Sequence, residues 1–323
     1  MTQLVVADIG GTHARFALAE VEGGRVRSLG DVLTLRTREH AGLVEAWAVL
    51  RQKSGGTLPQ AAAIAFAGPV GGEVLRLTNS PWEIRPAQLP RELGVERLTL
   101  VNDFGAVAHA VAQLGEDQFR PLCGPAGAPL PKEGVVTILG PGTGLGVAQL
   151  LRRGGRYEVL ATEGGHIDFA PLDPIEDRMI ADLRPRFGRV SVERIAAGMG
   201  LVHIHRTLAA IEGRPAPDVD DKALWEAALA GTDGLAAAAF ARYCLCLGAV
   251  AGDLALAHGA SAVVIAGGLG LRLADSLPNS DFRQRFTAKG RFEGRMDEMP
   301  VSILICPQPG LFGAAAAFAL EHG

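Results

Sequence analysis

Leu4-Val-Val-Ala-Asp-Ile-Gly-Gly-Thr-His-Ala-Arg-Phe-Ala-Leu18 is the stretch on which the fold turns. The apolar run Leu4 to Ala7 reads as a buried strand. Asp8 then interrupts it, where a carboxylate is costly to bury without a partner. Gly10-Gly11-Thr12 comes next, and Arg15 to Ala19 resumes as a second strand. In such a turn glycine lets the backbone approach a ligand, and successive N–H groups can face an anion. The same spacing also suits a plain tight turn. No GxxxxGK[ST] occurs, and the residues after the glycines do not have a helical pattern, so the stretch is neither a P-loop nor a dinucleotide fingerprint.

A second copy sharpens the reading. Val135-Val-Thr-Ile-Leu-Gly-Pro-Gly-Thr-Gly-Leu-Gly-Val-Ala-Gln-Leu150 repeats the plan, with Thr143 lying 131 residues after Thr12. Two strand–Gly-Thr–strand hairpins in one chain imply a duplicated fold whose turns grip one polyphosphate. Asn102-Asp103 ends the β-branched and leucine-rich strand Arg97 to Val101, and ligands of α/β sheets sit at the carboxyl ends of strands. Asp103 also suits the N-cap of the next helix, Gly105 to Leu114. Further on, Thr162-Glu-Gly-Gly-His166 sets Glu163 and His166 around two glycines, a pattern unlike the zinc signature HExxH.

Together with the C-terminal Pro309-Gly-Leu-Phe-Gly313, these motifs resemble the bacterial glucokinase family over nearly the whole chain, in the family's order. The resemblance implies two α/β domains of the actin/hexokinase-like (ribonuclease H-like) kind around a central cleft. Residues 1–113 would form a small domain, completed by a C-terminal helix over 310–323, and residues 114–309 a large one. It also implies ATP-dependent transfer to the 6-hydroxyl of glucose at the head of glycolysis, with Asp103 as the base. Asn79, Asn102, Asp103, Glu163, His166 and Glu193 would bind the sugar. Gly10, Gly11 and Thr12, with Gly142, Thr143 and Gly144, would cradle the phosphates, and Gly267-Gly268 would lie against the adenosine. Asp8 would hold Mg²⁺ through water. Another hexose, or an actin-like ATPase without a sugar site, are the competing readings. The cysteine-rich zinc motif of the related ROK sugar kinases does not occur.

Bulk properties narrow the partners. Lys+Arg 31 against Asp+Glu 35 leaves a net charge of −4, without the basic footprint of nucleic-acid or membrane binding. The polar Thr2-Gln3 leads directly into the first strand, so no signal peptide is expected. The apolar run Tyr243 to Gly252, between Arg242 and Asp253, is too short to span a bilayer. Four scattered cysteines, Cys123, Cys244, Cys246 and Cys306, fit a reducing cytoplasm, and Cys244 and Cys246 read as small core residues. Glucose and ATP are the expected partners; a homodimer is left open.

Between the motifs, Ala41 to Lys53 has helical spacing, Ala61 to Ala67 and Glu73 to Leu77 read as strands, and Pro86 to Leu93 as a short helix. Asn79, after the second of these strands, serves equally as a ligand contact or as an Asx-turn before Pro81. The Pro- and Gly-rich Gly115 to Gly134 reads as a loop between domains. A helix spans Asp173 to Phe187; Ser191 reads as the N-cap of the next, Val192 to Ala197, whose Glu193 suits the helix dipole. Helices dominate Leu201 to His258, with His203 and His205 at solvated positions. Ala262 to Arg272 reads as strand, Gly turn, helix, and Val301 to Ile305 as the last strand.

Overall fold

The computed structural model describes residues 1–77, 80–215 and 220–323, so Asn79 lies outside the described residues. The chain divides into two compact units, Met1–Gly115 with Val159–Ala161 and Cys306–Gly323, and Glu116–Glu158 with Thr162–Ile305.

The first unit is built on the opening hairpin, β1 (Thr2–Ile9) and β2 (His13–Glu22), antiparallel with Asp8 opposite Arg15. β3 (Arg25–Leu29) and β4 (Leu33–Arg36) pair with β2. After helix α1 (Leu43–Lys53), β5 (Ala61–Phe66) pairs parallel with β1. β6 (Leu75–Arg76) and β7 (Glu83–Ile84) form a separate ribbon, so the strand expected over Glu73 to Leu77 shrinks to two residues. Helix α2 (Leu89–Leu93) leads to β8 (Arg97–Asn102), parallel to β5, and then to helix α3 (Asp103–Gln113).

Period-two alternation sorts β1 onto two cores. Val5, Ala7 and Ile9 pack with Trp47 and Leu50 of α1 and Leu89 of α2. Leu4 and Val6 pack with Ala61, Ala63 and Ala65 and with the C-terminal helix. Small side chains on that second face let a helix lie close to the sheet.

The second unit repeats the plan. A strand forms where a loop is expected: β9 (Phe119–Cys123) pairs antiparallel with the last strand of this sheet. The position is the sheet's edge, where Pro121 removes no needed ladder donor. β10 (Gly134–Pro141) and β11 (Leu145–Arg153) form the second hairpin, and β12 (Arg156–Thr162) lies beside β11. Helices α4 (Pro174–Phe187), α5 (Val192–Ala196), α6 (Gly200–Ile211), α7 (Asp221–Ala230) and α8 (Gly234–Ala257) come next. β13 (Ala262–Ile265) pairs parallel with β10; helices α9 (Gly267–Arg272), α10 (Phe282–Thr287) and α11 (Glu293–Asp297) precede β14 (Val301–Leu304), parallel to β13. Strand order β3-β2-β1-β5-β8 in one sheet thus matches β12-β11-β10-β13-β14 in the other. Helix α12 (Pro309–His322) then returns to the first unit, against α3, β1 and β5.

Two further expectations change in the second unit. The apolar run at Tyr243 belongs to a helix of 24 residues, long and apolar enough by composition to cross a membrane. Its place is the core of this unit, where Tyr243, Cys244 and Cys246 are fully buried and the Tyr243 hydroxyl donates to the Ala196 carbonyl at 2.8 Å. Second, His203 and His205 are buried, not solvated; burial lowers both pKa values, and His203 Nδ1 lies 2.9 Å from the Arg194 carbonyl. Ser191 stands at the N-cap of α5, as expected, but makes no side-chain cap bond.

Candidate functional site

In the first unit, the Gly10–Thr12 turn is closed by the Gly10 N–H donating to the His13 carbonyl at 2.9 Å. Thr37 holds it from outside: its hydroxyl donates to the Gly11 carbonyl at 2.6 Å and its N–H to that of Thr12 at 3.1 Å. The Gly11 and Thr12 carbonyls are therefore occupied. Among the described residues, the N–H groups of Gly11 and Thr12 have no acceptor. Such an arrangement favours an anion. Nothing in the sequence pointed to Thr37, which lies 26 residues away.

Asp8 is half-buried at the end of β1, with Arg15 Nη1 3.3 Å from its Oδ2. Burial raises its pKa and Arg15 opposes the rise. Helix α12 starts against it: a Cβ placed on Gly310 would lie 3.0 Å from the Asp8 carboxyl carbon, so only glycine fits there without displacement. The residual cost of this buried charge falls if a cation or its water shell comes close.

Asn102, not Asp103, caps α3. Its Oδ1 accepts the N–H groups of Phe104 and Gly105, each at 2.9 Å, and its Nδ2 donates to the Gly68 carbonyl at 3.1 Å. Asp103 opens the helix, half-buried, with Oδ1 accepting the Phe104 N–H at 2.9 Å. The cap is thus supplied by its neighbour.

The second unit brings Gly142, Thr143, Gly144, Glu163, His166, Glu193 and the Gly267-Gly268 start of α9 to the loops around β10. The Gly142 N–H donates to the Gly144 carbonyl at 2.8 Å, and the Gly198 N–H to that of Gly142 at 2.8 Å. Among the described residues, the N–H groups of Thr143 and Gly144 have no acceptor. Glu193 Oε2 accepts the Leu145 N–H at 3.0 Å. A Cβ on Gly144 would lie 2.6 Å from that oxygen, so any larger residue there would have to displace the Glu193 carboxylate.

Glu163 and His166 bracket a single 3-10 turn, Gly164–His166, with His166 Nε2 3.9 Å from Glu163 Oε2 and both side chains exposed. Arg189, which no sequence motif singled out, clamps this loop. It donates to Asp168 Oδ1 at 2.5 Å and to the His166 carbonyl at 2.6 Å. Two backbone bonds reinforce it, Phe169 N–H to Val190 O at 3.0 Å and Val192 N–H to Ile167 O at 2.8 Å. Among the described residues no cluster of three or more His, Cys, Asp or Glu is arranged to hold a metal ion.

Comparison with known proteins adds the family. The glucokinase family model matches residues 5–321. The chain is 61% identical to a glucokinase of Zymomonas mobilis over 320 residues, covering 99% of this chain and 98% of that one. It is 41% identical to a glucokinase of Caulobacter vibrioides, over 98% and 95% of the two chains. A solved glucokinase from an Antarctic psychrotroph superposes with a TM-score of 0.85 at 30% identity, over 98% and 99%. With the duplicated hairpins and the Asn102-Asp103 strand end in their expected order, these matches show that the chain belongs to the glucokinase family.

Proposed function

We propose that this glucokinase transfers the γ-phosphoryl group of ATP to the 6-hydroxyl of glucose in the cytoplasm, using the two Gly-Thr turns, Asp8, Asp103 and the polar groups of the sugar loops. The state of the two turns carries the reading: protein groups occupy the Gly11, Thr12, Gly142 and Gly144 carbonyls, leaving the N–H groups of Gly11, Thr12, Thr143 and Gly144 for an anion. Phosphoryl transfer asks of the protein mainly positioning, charge neutralisation and an oriented nucleophile. The turns supply the first two for the phosphates, and Gly267-Gly268 borders the adenosine. Asp103 accepts the proton of the attacking 6-hydroxyl. Asn79, Asn102, Glu163, His166 and Glu193 bind the sugar's hydroxyls, since amides, imidazole and carboxylates pair well with such groups. In Asn102 one amide hydrogen remains for this work once the cap and the Gly68 bond are made.

Asp8 fits Mg²⁺ held through water, as a single half-buried carboxylate with a raised pKa that a hydrated cation relieves. Bound there, the ion would neutralise phosphate charge. Cytoplasmic residence agrees with the cysteines, none of which forms a disulfide.

A coupled assay with ATP, Mg²⁺ and a hexose panel tests the function. Glucose should be the best substrate, 3-deoxyglucose should lose roughly 10⁴-fold or more in kcat/KM, and N-acetylglucosamine should be inert. ATP turnover independent of sugar, or preference for N-acetylglucosamine, would overturn the reading.

A further inference from the structure

The segment 189–198 touches both kinds of site within the second unit. At one end it is laced to the loop of Glu163 and His166, through Arg189 on the His166 carbonyl and the Val192 N–H on Ile167 O. At the other end it holds the Gly142–Gly144 turn, through the Gly198 N–H on Gly142 O and Glu193 on the Leu145 N–H. Between them α5 is locked from behind: Val192, Ile195 and Ala196 are buried and the Tyr243 hydroxyl holds the Ala196 carbonyl. The Glu193 side chain keeps some freedom. One of its oxygens is committed to Leu145, and among the described residues no donor reaches the other.

We propose that Glu193 is a two-sided carboxylate that couples the substrates, Oε1 taking sugar hydroxyls while Oε2 fixes the phosphate-binding turn, so that glucose and ATP each tighten the other's binding. The inference rests on the glucokinase reading and deepens it. A glutamate that must be ordered to bind sugar costs side-chain entropy once; the turn then finds its acceptor already in place. Coupling between sites is reciprocal, and typical values are roughly 5- to 150-fold. The contact at Gly144 gives the device a mechanical signature. A methyl group there displaces Oε2, so a change in the phosphate turn must damage sugar binding.

Calorimetry on the full chain, with glucose and a non-hydrolysable ATP analogue, reads the coupling directly. Wild type should bind the analogue at least about fivefold more tightly with saturating glucose than without. Glu163→Gln should weaken glucose but keep that ratio at saturation. Gly144→Ala should bring the ratio near one and weaken glucose even without nucleotide. Hydrogen exchange on wild type keeps the test open if Gly144→Ala fails to fold: glucose alone should slow exchange over residues 142–146. A wild-type ratio of one, a preserved ratio with unchanged glucose affinity in Gly144→Ala, or unaltered exchange in 142–146 would overturn the coupling and leave glucokinase activity standing. Failure of wild type to phosphorylate glucose would instead remove the functional reading.

Discussion

Asn102 and Asp103 divide the labour at the end of β8. Because Asn102 accepts the free N–H groups of the first turn of α3, Asp103 is not needed as its cap. Asp103→Asn should therefore fold with a thermal midpoint within a few degrees of wild type, yet lose roughly 10²- to 10⁴-fold in kcat. Its glucose affinity should fall less, since an amide still bonds a hydroxyl. Steady-state kinetics beside a melting curve checks this, and near wild-type kcat would remove Asp103 as the base. At this scale the sequence was ambiguous for a physical reason. Asn and Asp are both good caps, and two in succession do not reveal which one turns inward. His203 and His205 failed similarly, because positions two apart on a helix point in different directions and yet both are buried on the amphipathic α6.

Elements were more legible than side chains. The two hairpins, β5, β8, β13 and β14 could be found from apolar runs punctuated by glycine, and α4 from Asp173 and its helical spacing. β9 was not, because Pro121 and the surrounding prolines carry the signature of a loop, and only pairing with β14 makes the segment a strand. Arg189 was invisible for the same reason. Its partners, Asp168 and the His166 carbonyl, are brought near by the backbone bonds between residues 167–169 and 190–192. The clamp predicts a split effect. Arg189→Ala frees the loop of Glu163 and His166 and should raise the glucose KM about fivefold or more, with the ATP KM and the melting temperature little changed. Arg189→Lys should rescue only in part, since a single ammonium does not reproduce the guanidinium fork. Equal loss of both KM values would make Arg189 a general structural residue.

For the molecule as a whole, acid should be the weak side. Burial lowers the pKa of His109 to about 4, and lowers those of His203, His205 and His258. Between about pH 6.5, where an unfolded histidine takes up its proton, and the lower folded values, the unfolded chain holds more protons. Stability contributed by these neutral rings is complete above that window and is lost as pH falls through it. Asp8, with its raised pKa, runs in the opposite direction, but it is one group against four. The melting temperature should therefore drop from pH 7 to pH 5, and less steeply in His109→Gln. A flat profile in wild type would show that the histidines are protonated in the folded state.

Helix α12 gives the first unit a discontinuous chain. Leu4, Val6, Ala61, Ala63 and Ala65 rest against Leu311, Ala314, Ala315 and Phe318, with the whole second unit between them in sequence. During synthesis at roughly 5–20 residues per second, that interval lasts on the order of 10–40 s. For that time the first sheet emerges from the ribosome with an alanine-rich face uncovered, while the second unit can complete its own core. The usual order of N-terminal first is thereby reversed: the unit translated first is the last to close, and its nascent sheet is the surface most in need of a chaperone.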